Sequence, residues 1–162
     1  MLSIVKVQAE GPGVEAALVL FKEYFDELNE NLCFQKFDEE LKNPLKKYGE
    51  PYGALFVAYH NEDAAGCIAL QPIKPPTREE FLVCEMKRLY VRPSYRRQKI
   101  GDELVKVLLN EAAAKGYKKM VLDTLDRLQA AIALYHRYGF LNTSAYYANP
   151  LPGVVYMEKL LV

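Results

Sequence analysis

The fold is decided by the stretch Arg96-Arg97-Gln98-Lys99-Ile100-Gly101, where a strand-like run has just ended and a helical run begins. The strand-like run is Glu85 to Val91, and Pro93 breaks it. The helical run, Ile100 to Ala114, repeats apolar residues at helical spacing and stops before Gly116. The first N–H groups of such a helix lack backbone acceptors and, with the helix dipole, favour an anion. The sequence therefore predicts a phosphate-binding turn, with a pyrophosphate as the expected anion.

The composition of the chain limits its class. Its 162 residues, 51% of them hydrophobic, suit a single domain that spans residues 1–162. Lys plus Arg equals Asp plus Glu at 21 each, so no overall positive charge points to nucleic acid. The three cysteines lack C-x-x-C spacing, so we expect no disulfide framework and no metal site, and a reducing cytoplasm fits best. The sequence shows no leader segment and no apolar run of membrane length, so we expect no membrane partner.

Strand-like and helical periodicities alternate along the chain, and one hairpin joins Gly53–His60 to Ala65–Ile73. This mixture predicts the fold class α/β (α+β mixed), with a mixed sheet and helices on both of its faces. Further strands are predicted at Ser3–Gln8, Phe81–Val91, Lys119–Asp123, Leu141–Ala145 and Val154–Leu161. Further helices are predicted at Val14–Leu28, Phe34–Leu41 and Gln129–Tyr138.

The strand, basic turn and helix resemble the acetyl-CoA-binding signature of the GNAT family of N-acetyltransferases. That signature is Arg or Gln, two residues, Gly, one residue, then Gly or Ala. Arg96 fills its first position and Gly101 its last, whereas Lys99 replaces the inner glycine. A side chain therefore stands where the backbone normally approaches the phosphate closely. We expect Lys99 to compensate as a cation.

Two further blocks extend the resemblance, Glu85–Val91 before the turn and Ala131–Tyr135 with Gly139-Phe140 after it. The resemblance implies a mostly antiparallel sheet of about six to seven strands. It also implies that the central strand splays from its neighbour at Lys119–Asp123, so that the pantetheine arm of acetyl-CoA lies between them.

The resemblance implies that two groups of residues bind acetyl-CoA. Backbone groups of the central strand would pair with the pantetheine arm, at Leu89, Tyr90 and Val91. The turn and the helix start would hold the pyrophosphate, at Arg96, Arg97, Gln98, Lys99, Ile100, Gly101 and Asp102. The carboxylates of Asp102 and Glu103 would repel a phosphate, so we expect their side chains to point away from it.

Two residues are candidates for proton transfer. Glu85 lies in an apolar strand segment, where partial burial would raise its pKa toward that of a usable base, and it matches the base of histone-acetylating family members. The alternative is that Glu85 only pairs with Lys87 or Arg88 on a sheet face. Tyr135 has a phenol that can protonate a thiolate and matches the usual general acid of the family, the alternative being a core aromatic residue.

Other positions bear on the cofactor and the acceptor. Many family members carry a cofactor-contacting Asn seven residues before the tyrosine, and this chain has Leu128 there. Tyr146, Tyr147 and Asn149 precede the last strand and could line the acceptor pocket or form an edge-strand aromatic cluster. Acidic residues in the first third of the chain could attract a cationic amine, although the wet face of two helices explains them better.

The resemblance implies an acyltransferase that moves an acetyl group directly from acetyl-CoA to a primary amine. A small-molecule amine is the expected acceptor, and a peptide or protein amine is second. The competing hypothesis is a non-catalytic acyl-CoA-binding module, since Lys99 and Leu128 both depart from the family pattern. Dimers are common in the family, so a homodimer is the expected assembly partner.

Overall fold

The computed structural model describes residues 1–32, 35–73 and 82–161. Seven strands follow one another along the chain: β1 (Leu2–Lys6), β2 (Ala54–His60), β3 (Asp63–Pro72), β4 (Val83–Val91), β5 (Lys119–Leu125), β6 (Leu141–Thr143) and β7 (Val154–Leu160). Five α-helices accompany them: α1 (Pro12–Leu28), α2 (Phe37–Lys42), α3 (Pro44–Tyr48), α4 (Ile100–Ala114) and α5 (Gln129–Arg137). A short 3-10 helix covers Pro93–Tyr95.

All seven strands form one sheet in the order β1-β2-β3-β4-β5-β7-β6. Every neighbouring pair is antiparallel except β4 and β5, which are parallel. Helix α4 forms the crossover between these two strands, as a parallel connection requires. The predicted mixed, mostly antiparallel sheet of six to seven strands is confirmed.

The helices cover both faces of the sheet, as the sequence predicted. On one face, residues of α4 and α5 pack on the sheet, with Leu104, Leu108 and Leu134 in the core. On the other face, helices α1 to α3 contribute Leu20, Phe21 and other buried residues to a second core. A sheet that buries both faces needs apolar residues at successive positions, which is why β2 is almost continuously buried.

Strand β4 is interrupted by a bulge next to Arg88. The register with β3 changes from Cys67↔Tyr90 to Ala69↔Lys87, so one residue of β3 faces two of β4. Arg88 has φ 59°, a left-handed conformation that is unusual for a residue other than glycine. Its buried guanidinium is paired with Glu40 of α2 at 2.7 Å, which fixes the bulge to the second core.

The parallel pairing of β4 and β5 covers only the start of both strands. It ends at Glu85↔Val121, although β4 continues to Val91 and β5 to Leu125. The two strands therefore splay where the family resemblance implied it, and they leave a gap in the middle of the sheet.

Several predicted boundaries differ from the structure. Strand β5 runs to Leu125 instead of Asp123, and β6 ends at Thr143 instead of Ala145. Helix α3 was missed, because Pro44 was interpreted as the end of a helix whereas it occupies the first turn of a new one. Phe34 and Phe81, with which two predicted elements began, lie outside the described residues.

Candidate active site

The predicted phosphate turn is a loop with exposed backbone donors at the start of α4. Arg97 and Lys99 adopt the left-handed conformation with φ of 65° and 61°, and Lys99 is the N-cap of the helix. Among the hydrogen bonds of the described residues, none uses the N–H groups of residues 97–101. Alternating backbone conformations of this kind direct successive N–H groups toward one point and favour an anion. Lys99 thus adopts the backbone geometry that the missing glycine would supply.

Two arginines near the turn are engaged with carboxylates of α1. Arg92 binds Glu23 at 2.6 Å and donates to the carbonyl oxygen of Ala64. Arg96 binds Glu27 at 2.6 Å, and both side chains are nearly half exposed. An exposed pair of this kind contributes little to stability, so Arg96 could leave Glu27 at small cost. Two of the acidic residues of α1, Glu23 and Glu27, are therefore partners of these arginines.

The acidic residues in the first turn of α4 are held by side-chain partners. Arg137 and the hydroxyl of Tyr138, both at the end of α5, donate to Asp102 over 3.1 Å. Burial acts to raise the pKa of Asp102, but these hydrogen bonds outweigh it and lower the pKa. Glu103 pairs with Lys106. The charges of both carboxylates are thus partly neutralised.

A cavity of about 70 Å³ occupies the gap between β4 and β5. Its walls come from β4, β5, α1, the start of α5 and the loop before β7. The polar lining residues are Tyr24, Gln35, Lys87, Arg88, Asp123, Thr124, Tyr135 and Asn149. Of the β4 residues predicted to contact the pantetheine arm, Leu89 lines this cavity.

Glu85 lies beside this cavity and is only 4% exposed. Its Oε1 accepts a hydrogen bond of 2.6 Å from Gln71 Nε2, and its Oε2 accepts one from the hydroxyl of Tyr146. The alternative that Glu85 pairs with Lys87 or Arg88 is therefore wrong, since neither is its ion-pair partner. Burial, and then the charge of Glu85, raise the pKa of Tyr146.

Asp123 on β5 carries a second polar cluster that sequence reasoning missed. Its Oδ2 accepts hydrogen bonds from the hydroxyl of Tyr147 and, at 2.7 Å, from Asn149 Nδ2. Burial, and then the charge of Asp123, raise the pKa of Tyr147. Unlike Glu85, Asp123 lines the cavity directly. The loop with Tyr146, Tyr147 and Asn149 therefore covers two carboxylates on two strands.

Lys87 is a buried cation in the part of the cavity wall that β4 forms, and it is 6% exposed. Its Nζ donates to Gln35 Oε1 over 3.0 Å, and the same oxygen accepts a bond of 2.8 Å from Arg88 Nη1. Burial is the main cause that lowers the pKa of Lys87 to about 8. Gln35 Nε2 also lies 3.4 Å from the hydroxyl of Tyr147, which binds Asp123. Gln35 therefore connects Lys87 with the cluster around Asp123.

Tyr135 lines the same cavity from α5 and is also a core residue, packed edge-on against Phe140 with ring centres 5.9 Å apart. The functional and core interpretations are thus compatible. Burial raises the pKa of the Tyr135 hydroxyl, which keeps it protonated at neutral pH. Leu128, which replaces the family's asparagine, is the N-cap of α5 and an apolar part of the cavity wall.

The structure brings most predicted site residues to two neighbouring places. The turn residues 97–101 surround the start of α4, whereas Tyr135 and Asn149 line the cavity and Glu85, Tyr146 and Tyr147 adjoin it. The residues that were missed are Gln35, Lys87 and Asp123. Lys87 and Asp123 could have been identified from the sequence, since each is a charged residue inside an otherwise apolar strand. No sequence pattern marks Gln35.

Comparisons with known proteins agree with this geometry. The model of the acetyltransferase (GNAT) family matches residues 17–140. An uncharacterized N-acetyltransferase of Schizosaccharomyces pombe is 47% identical over 86% of this chain and 83% of that relative. One from Dictyostelium discoideum is 31% identical over 97% of this chain and 98% of its own.

Solved structures show the same fold. A GNAT-family acetyltransferase from Staphylococcus aureus superposes with a TM-score of 0.77 at 18% identity, covering 99% of this chain and 100% of its own. One from Elizabethkingia anophelis, solved with acetyl-CoA bound, gives a TM-score of 0.66 at 24% identity, covering 98% and 97%. The family model and the two related N-acetyltransferases show that the chain is an acyltransferase. The chain belongs to the GNAT family of N-acetyltransferases.

No helix within residues 1–32, 35–73 and 82–161 is both long and apolar enough to cross a membrane.

Proposed function

We propose that this enzyme transfers an acetyl group from acetyl-CoA to the primary amine of a small molecule. The observation that carries the proposal is the gap between β4 and β5, where the strand pairing stops at Glu85↔Val121 and Tyr135 lines the resulting cavity. An acetyl thioester in this gap would lie beside a protonated phenol. The thioester supplies the acetyl group and a thiolate leaving group.

The residues at the start of α4 fit the pyrophosphate of acetyl-CoA. The N–H groups of residues 97–101 supply donors without other partners among the described residues, and the exposed side chains of Arg97 and Lys99 supply positive charge. Arg96 adds its guanidinium once it leaves Glu27, and Gln98, Ile100 and Asp102 complete the turn. On its side toward β5, the stretch of β4 at Leu89, Tyr90 and Val91 has no paired strand and would pair with the pantetheine arm.

Proton transfer is assigned to two groups. Glu85 acts as the base through Tyr146, whose hydroxyl passes its proton to Glu85 while it takes one from the amine. Tyr135 donates its proton to the departing thiolate. Cys84 is no nucleophile, because burial raises the pKa of its thiol to about 12. The transfer is therefore direct, without an acylated enzyme.

A small amine is favoured as the acceptor because the cavity is narrow and is bridged by Gln35 and Tyr147. Tyr147 and Asn149 orient Asp123, whose carboxylate faces the cavity and would bind the ammonium group of the acceptor before its deprotonation. A peptide amine is the second choice, since its chain would have to displace the bridge.

The proposal is tested by calorimetric titration with acetyl-CoA and then with coenzyme A, followed by an assay of a panel of small amines. We expect micromolar binding of both ligands and release of thiol with one or more of the amines. Absence of binding by either ligand would contradict the proposal.

We further propose that residues 1–162 act as one domain in the cytoplasm. Cys67 and Cys84 are free and buried, which agrees with a reducing compartment. The homodimer expected from the family is tested by sedimentation of the purified protein at several concentrations.

A further inference from the structure

Lys87 stands out because its charge is buried without a carboxylate partner. No Asp or Glu oxygen of the described residues lies within the 4.0 Å of an ion pair with its Nζ, and its only described hydrogen-bond acceptor is the neutral Gln35. The neighbouring Arg88 differs, since Glu40 neutralises it at 2.7 Å. Of these two adjacent cations, Lys87 alone has charge to offer a ligand.

The position of Lys87 is energetically costly. Removing a cation from water without pairing it opposes folding, and the lowered pKa of Lys87, about 8, expresses this cost. At neutral pH the amine is still mostly protonated. Gln35 binds both Lys87 and Arg88 through one oxygen, so it orients the two cations and does not neutralise them. Costly charges of this kind are typical of functional sites.

The cavity also presents a negative group. Asp123 lines it, and Tyr147 and Asn149 bind only its Oδ2, so that no hydrogen bond among the described residues uses Oδ1. A space of about 70 Å³ that has a cation in one wall and a carboxylate in another suits a ligand with both charges a few atoms apart.

We propose that the acceptor carries a carboxylate close to its amino group, that Lys87 Nζ binds this carboxylate, and that Asp123 receives the amino group. This inference rests on the proposed acetyl transfer and names its substrate class as amino carboxylates. It predicts that the enzyme distinguishes an amino acid from the same molecule with its carboxylate masked.

The test compares acceptors in matched pairs, at pH 7.5 with saturating acetyl-CoA. Each L-α-amino acid, β-alanine and γ-aminobutyrate is assayed beside its carboxamide. Amidation lowers the pKa of the neighbouring amine, so a larger fraction of the carboxamide is free amine at pH 7.5. We nevertheless expect the carboxylate form to have roughly 10- to 100-fold higher kcat/KM, the range of a charge-assisted hydrogen bond.

The variants Lys87→Met and Lys87→Arg assign this preference to one side chain. Lys87→Met should abolish the preference, mainly by raising the KM of the carboxylate forms. Lys87→Arg should keep part of it. Lys118→Met removes an exposed lysine before β5 and is the matched control. Thermal unfolding of each variant shows that it is folded.

The outcomes distinguish the proposed acceptor class from the proposed acetyl transfer. Equal or better use of the carboxamides by the unaltered enzyme, or a preference that persists in Lys87→Met, overturns the inference and leaves acetyl transfer intact. Binding of acetyl-CoA without acetylation of any amino carboxylate also overturns it. Failure of acetyl-CoA to bind contradicts the proposed function itself.

Discussion

Residues 97–101 and the cavity between β4 and β5 offer ligands different kinds of groups. The turn presents backbone N–H groups from consecutive residues, and the chain conformation alone places them. The cavity presents side chains from distant segments, such as Gln35 and Tyr147, which meet although they are 112 residues apart. Substitution of one side chain should therefore change ligand affinity at the turn little, but should change binding or turnover in the cavity strongly.

The largest effect is expected for Tyr135→Phe in the cavity. Removal of the hydroxyl that we propose as the proton donor to the thiolate should lower kcat by about 100-fold or more, whereas the Kd of acetyl-CoA should change little. Stopped-flow or steady-state thiol release measures kcat, and calorimetry measures Kd. Tyr52→Phe, at a half-exposed tyrosine, is the control. Unchanged turnover in Tyr135→Phe would mean that water or another group supplies the proton.

Glu85→Gln tests the proposed role of Glu85 as the general base. We expect kcat/KM to fall roughly 10- to 100-fold at neutral pH and less at high pH, where free amine is abundant and needs no base. The pH dependence of kcat/KM is the measurement, with the exposed Glu103→Gln as the control. A loss of the same size at every pH would indicate that Glu85 only supports Tyr146 and Gln71.

Lys87→Met tests how much the buried charge of Lys87 destabilises the folded protein in the absence of ligand. The pKa of Lys87 is lowered from 10.5 to about 8 on folding, so the unfolded chain binds more protons between these pH values. The stability of the unaltered protein should consequently rise with pH through this window. We expect the Met variant to be more stable by roughly 1–3 kcal/mol at pH 7, and its advantage to shrink toward pH 10.5.

Denaturant unfolding of both proteins across this pH range measures the difference between their free energies of unfolding. Titrating groups that behave alike in both proteins do not contribute to this difference. A variant that is less stable than the unaltered protein at pH 7 would show that Lys87 stabilises the folded state.

The smallest effect is expected in the turn. Lys99→Met removes one exposed charge at the proposed pyrophosphate site and leaves the backbone donors in place. The affinity for acetyl-CoA should fall about 2- to 5-fold at low salt and hardly at all in high salt, since ions screen exposed charges. Calorimetry at two salt concentrations measures this, with Lys106→Met in the second turn of α4 as control. A much larger, salt-independent loss would mean that Lys99 has a role beyond its charge.

The sequence predicted the turn better than the cavity for a physical reason. Helix α4 begins at Ile100 and the turn precedes it, both as expected, because local periodicity and the loss of backbone acceptors act between neighbouring residues. Lys99 departs from the family pattern, yet it adopts a left-handed backbone conformation, which glycine adopts readily. The splay of β4 and β5 came from the family resemblance, since no local pattern shows where two strands stop pairing.

The acceptor side was predicted only in part. Tyr146, Tyr147 and Asn149 were expected near the acceptor, but their carboxylate partners could not be assigned. The alternative interpretation, that Glu85 pairs with Lys87 or Arg88, is wrong, because the guanidinium of Arg88 at the bulge pairs with Glu40. A bulge changes the face on which each later residue lies, and its position depends on the partner strand.

The amino-acid sequence thus predicted most of the elements, the turn before α4 and the family to which the chain belongs, because these depend on spacing along the chain. It took the complete fold to show that Lys87 has no carboxylate within ion-pair distance among the described residues and that Asp123 lines the same cavity. Charge balance inside a protein is set by which side chains meet in space, and α2, β4, β5 and the loop before β7 meet only in the complete fold.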